Sequence, residues 1–133
     1  MLHSADQAAG LRRLFRRTPS AVVALFTSGR APRDLAVQTL LALTEGARRI
    51  VAIDEHGPER GSLLAAFGYP EAGDLLGALQ GPFEVSDTMR EVAEGLWVVP
   101  AAAAALAVPL LDDAQHARLE SAIAELQRRA DLL

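Results

Sequence analysis

The 133-residue chain has no lysine and no cysteine, and only 5% of it is aromatic. Without lysine there can be no Schiff-base nucleophile and no phosphate-loop lysine, so all thirteen basic residues are arginine. Without cysteine, disulfides, thiolate metal sites and cysteine nucleophiles are excluded, in keeping with a reducing cytoplasm, the expected location. No apolar run reaches the roughly 18 residues of a membrane span. Arg12, Arg13, Arg16 and Arg17 interrupt the N-terminal stretch, so neither a signal peptide nor membrane insertion is expected. A net charge of −4 and a pI near 5.3 give no basic footprint, and nucleic acid is not an expected partner.

Half of the residues are hydrophobic, with alanine and leucine dominant, which suits helices packed on a small sheet. Mean hydropathy is +0.17, high for a small domain. It points to apolar surface meant for a partner or for further chain. The length suits a single α/β domain over 19–133. Ahead of it, residues 1–18 read as a short amphipathic helix. Ser4 and Gln7 form a capping box, and Ala8, Leu11, Leu14 and Phe15 recur at helical spacing. Pro19 stops the helix. Such a segment either packs on the domain's side or is an arm that docks on a partner, anchored by Leu11 and Phe15.

Residues 21–43 read as strand, loop and helix. The apolar run 21–27 predicts a strand covered on both faces. Leu35, Ala36, Thr39, Leu40 and Leu43 give the helix its packing face, and Gly46 is placed for a left-handed cap. At such a junction, backbone N–H groups and the positive end of a helix dipole commonly hold phosphate. Here the loop is Ser28, Gly29, Arg30, Ala31, Pro32 and Arg33, lacking the second glycine and the lysine of G-x-x-x-x-G-K-[ST]. The geometry of a nucleotide site is expected without its usual chemistry.

A second buried strand covers 50–53 and ends at Asp54, completing a βαβ unit. The charge-dense segment 54–60 follows, where open α/β sheets bind ligands. Glu55, His56 and Glu59 fall in one short loop with no second cluster to complete a ligand set, so a solvated turn is expected and no metal site. Short helices are predicted over 62–67 and 71–79, and 83–94 is ambiguous, with Ser86 and Asp87 a candidate helix start. A third strand covers 96–99, residues 101–108 predict a loop or frayed turn, and Asp112 or Asp113 caps a last helix. After that helix another strand would begin.

Four stretches resemble the MinD/ParA family of deviant-Walker ATPases, in particular its flagellar-number regulators of FlhG type. Residues 6–14 are similar to that branch's DQAxGLRRL motif. Thr27, Ser28 and Gly29 match the start of its TSGKGGVGKT loop; residues 51–54, the strand entering its DAD motif; residues 95–101, its GLxxLPA segment. The likeness covers about the first half of a family member. The loop is about three residues short, both catalytic lysines are absent, and His56 stands at the second aspartate of DAD.

The resemblance implies a three-layer, mostly parallel α/β sheet with flanking helices, a partial MinD fold. It also implies a missing central strand, so that the strands re-pair or another chain fills the gap. In the family the N-terminal helix stimulates the GTPase of the signal-recognition-type partner FlhF, while the ATPase body gates dimerisation and membrane attachment. The expected function is therefore non-catalytic regulation of flagellar number or placement. Asp6, Gln7, Leu11, Arg12, Leu14 and Phe15 are the partner-binding residues, and an FlhF-like GTPase or another flagellar assembly protein is the partner. Ser28, Gly29, Arg30, Arg33 and Asp54 form a vestigial nucleotide site. No catalytic residue and no cofactor are expected. The alternative is a residual phosphate or ATP–magnesium binder with weak or no hydrolysis, and a homodimer is compatible with either reading.

Overall fold

The computed structural model describes residues 20–25, 32–46 and 48–133. The predicted N-terminal helix and residues 26–31 lie outside the described residues. Within them, the first helix, α1 (Pro32–Thr44), leads to β1 (Ile50–Asp54). A 3-10 turn over Pro58–Arg60 precedes the short helices α2 (Leu63–Ala66), α3 (Leu75–Gln80) and α4 (Val85–Thr88). Strands β2 (Arg90–Ala93) and β3 (Leu96–Pro100) follow, then α5 (Ala102–Ala107) and the long α6 (Asp113–Arg129).

The sheet order is β1-β3-β2, with β1 parallel and β2 antiparallel to β3. Each face carries its own apolar cluster, as period-two alternation requires. Ile50, Leu96 and Val98 meet Leu40 of α1 and Leu64 of α2 on one face. Val51 and Val99 meet Leu75, Leu79, Ala122 and Leu126 of α3 and α6 on the other. Helices on both faces of a mostly parallel sheet make the three-layer α/β architecture expected from the sequence.

The described part of the predicted first strand, residues 20–25, runs beside the sheet but contributes only one bridge, between Ala21 and Leu132. Leu132 also bridges Ile50, so residues 131–133 lie between residues 20–25 and β1. The amide of Val23 donates to the carbonyl of Leu133 at 2.8 Å and that of Val51 to Leu132 at 3.0 Å. The strand expected after the last helix thus starts at the place of the central strand. Full coverage is not observed over the described part of that run, 21–25: Val22, Val23 and Leu25 remain 63%, 57% and 54% exposed.

Three further expectations are corrected. Gly46 closes a turn after α1 without entering the left-handed region, where Gly61, Gly68, Gly81 and Gly95 are found. The segment 71–79 is helical only from Leu75, because Asp74 accepts the Leu76 amide as N-cap. The alanine run is a helix: the Asp74 carboxylate also accepts the amides of Ala103 and Ala104, at 2.9 and 3.0 Å. Alanine supplies the propensity and a distant aspartate supplies the cap. In the ambiguous region, Glu84 and Asp87 form the capping box of α4, and the rest is the edge strand β2.

Candidate functional site

At the C-terminal ends of β1 and β3 lies a cavity of about 240 Å³, lined by Asp54, His56, Ser62, Glu71, Asp74 and Ala102 among others. This is where parallel sheets present ligand sites, because the strand-to-loop junctions open outward there. Asp54 is its innermost carboxylate, only 6% exposed. Its Oδ1 accepts the His56 amide at 3.0 Å and its Oδ2 the Leu63 amide at 2.7 Å. Both oxygens are therefore used to fold the 55–62 loop back and to start α2. The His56 ring stands 3.4 Å away through Nδ1, on the exposed side. Glu55, His56 and Glu59 are exposed, as a solvated turn requires, whereas Asp54 is not.

Sequence reasoning found Asp54 but missed the other polar lining. Ser62 is buried, donates to Glu71 Oε1 at 3.2 Å and accepts the Ala65 amide as N-cap of α2. Asp74 caps α3 and α5 together. The signal for both was a capping residue ahead of an apolar run, one that marks helix starts everywhere and picks out no site. No described arginine lines the cavity, and no three carboxylates or histidines converge to hold a metal ion among the described residues.

Of the other predicted site residues, Ser28, Gly29 and Arg30 lie outside the described residues, as do Asp6, Gln7, Leu11, Arg12, Leu14 and Phe15. Arg33 falls in the first turn of α1. Away from the cavity, Arg49 pairs with Asp131 at 2.9 Å and ties the entry of β1 to the segment beside it. The Asp131 carboxylate, by hydrogen bonding and then by its charge, raises the pKa of the Arg49 guanidinium.

No protein-family model and no curated protein matches the chain. Among solved structures it is similar to cobyrinic acid a,c-diamide synthase from Mycobacterium smegmatis, solved with bound ADP and magnesium and with a bound ATP analogue and magnesium. Each comparison gives a TM-score of 0.63 at 26% identity, over 87% of this chain and 49% of that chain. The fold is a partial ParA/MinD-like P-loop ATPase fold. The chain spans about half the length of these synthases.

Proposed function

We propose that the chain is a non-catalytic, MinD-like regulatory module of FlhG type, acting in flagellar number or placement control by binding a partner. Residues 6–15 form the binding element and an FlhF-like signal-recognition-type GTPase is the partner. The observation that carries this reading is the pairing of a retained DQAxGLRRL segment with a chain that contains no lysine. Both Asp54 oxygens accept backbone amides, which gives that carboxylate a role in the loop that needs no nucleotide. Charge steering by Arg12 and burial of Leu11, Leu14 and Phe15 would provide the contact.

Deleting residues 1–17 tests the reading. Binding to the purified GTPase and its stimulation are expected to vanish, while the α/β domain keeps its circular dichroism. Unchanged stimulation by the truncated chain contradicts the proposal. Leu11→Asp is expected to weaken partner binding by about tenfold or more, a hot-spot-sized loss.

A second reading is favoured by the nucleotides and magnesium bound in the similar synthases and by the position of the cavity at the strand ends. Arg33, in the first turn of α1, together with Arg30 would then grip a phosphate. Saturable titration with ATP or ADP, lost in Arg33→Ala, would establish it. That substitution should remove about 1.5–3 kcal/mol of charge-assisted contact. In the regulatory reading Arg33→Ala is silent for partner binding.

A further inference from the structure

Leu106 and Leu110 are 82% and 85% exposed, more than any other large hydrophobic among the described residues. They belong to a finished element and not to an open strand edge. Helix α5 is followed directly by a 3-10 turn over Val108–Leu110. Asp74 accepts the Ala103 and Ala104 amides at its head, and Leu111 packs against the buried cluster at its tail. Ala101 and Ala104 are buried on the inner side, while Ala103, Leu106, Val108, Pro109 and Leu110 are exposed on the outer one. Residues 101–111 carry no polar side chain, so this outer side is an apolar strip. It follows β3, which β1 separates from residues 131–133. A strip of this kind on a finished surface marks an interaction site.

Charge says what fits it. Residues 61–117 hold eight carboxylates and a single arginine, Arg90, whereas residues 1–17 hold four arginines and one carboxylate, Asp6. Carboxylates flank the strip at both ends: Asp74 and Glu71 beside its head, Asp112 and Asp113 immediately after its tail. An anionic membrane surface is repelled by such a rim, and a cationic apolar segment is attracted. The helix expected over residues 1–18 has this chemistry, with Ala8, Leu11, Leu14 and Phe15 as its apolar stripe and Arg12, Arg13, Arg16 and Arg17 beside it. The lengths agree as well. Ala8 to Phe15 spans about 10 Å of helix, and Ala103 to Leu110 at most about 12 Å.

We infer that the strip is the docking site for the N-terminal arm of a second copy of this chain. The arm is too far away to reach the strip of its own copy. Ala21 bridges Leu132, which bridges Ile50, which pairs with Leu96, so Ala21 stands at the start of the sheet. The strip begins past Pro100, the last residue of β3. That is about 13 Å along the strands and about 14 Å, three inter-strand spacings, across them. The straight separation is about 19 Å, whereas the chain from Arg17 to Ala21 spans at most about 14 Å. Reciprocal exchange about a two-fold axis places each arm on the other copy's strip and closes the pair with two identical contacts. The inference uses the anchors of the regulatory reading, Leu11 and Phe15, but does not rest on the identity of any other partner.

The test is light scattering of the full-length chain and two full-length variants, Leu11→Asp with Phe15→Asp in the arm and Leu106→Asp with Leu110→Asp in the strip. The strip changes fall on exposed positions and should leave the circular dichroism unaltered. The unaltered chain is expected to double its mass as concentration rises at low salt, and added salt should weaken the pair. Each variant alone should associate about tenfold or more weakly. An equimolar mixture of the two should regain the pair, since one supplies the strip and the other the arm. A mixture that stays monomeric, or a strip variant that associates as tightly as the unaltered chain, overturns the proposal. A monomeric unaltered chain also overturns it and leaves the strip to a foreign partner. Stimulation of the GTPase is a separate readout: under the regulatory reading the strip variant keeps it whatever its mass, so the two claims fail independently.

Discussion

Asp54 and Asp74 show how two carboxylates can dominate a cavity while acting on the backbone. Each accepts amides that start a helix, so removing either side chain strands buried donors. Asp54→Ala is expected to lower unfolding free energy by about 2–4 kcal/mol, with Asp54→Asn intermediate because one amide keeps an oxygen partner. Urea denaturation of the two variants checks the order, and an unchanged midpoint for Asp54→Ala would mean that the loop is not held by this residue. Asp74→Ala should cost about 1–2 kcal/mol and speed exchange of the Ala103 and Ala104 amides specifically. Gly95 is constrained from another direction. Its φ is +76°, and a Cβ at this position would lie 3.2 Å from the Arg48 carbonyl oxygen, so a side chain is strained and the Arg48 backbone must give way. Gly95→Ala should destabilise by about 1–3 kcal/mol through strain at the β2–β3 turn.

The elements divide by how local their causes are. Helices α1 and α6 and strands β1 and β3 were legible, because apolar periodicity and capping residues within a dozen positions specify them. Asp112 with Gln115 closes the capping box of α6, and Ala122 and Leu126 bury its stripe. What escaped the sequence depends on residues far along the chain. Helix α5 has no amphipathic period and is anchored by Asp74, about thirty positions earlier. Strand β2 carries exposed Arg90 and Glu91 on the sheet edge and is fixed by its pairing with β3. Residues 20–25 have a strand's composition but only part of a neighbour. In the cavity, Asp54 was legible at the end of an apolar strand, whereas Ser62, Glu71 and Asp74 come together only through the folding of 55–74. Leu126→Ala, at a fully buried position of α6, is expected to cost about 2–5 kcal/mol. Leu110→Ser, at a position 85% exposed, should stay within about 0.5 kcal/mol. A thermal or urea series on both variants checks the contrast.

At the scale of the whole molecule, the chain combines the strand-end geometry of a nucleotide-binding sheet with a polar lining that is acidic and already hydrogen-bonded. The similar synthases hold nucleotide and magnesium in a chain of which this one spans about half, and this chain contains no lysine to grip a phosphate. Binding through residues 6–15 needs neither, which is why the proposed role is regulation by contact rather than by hydrolysis. The most direct test is the mass of the purified chain by light scattering, without and with ATP and magnesium. The account predicts the same mass in both, whether monomer or constitutive dimer. A nucleotide-dependent change of mass would show that 28–33 and Asp54 still work as a switch, and would contradict it.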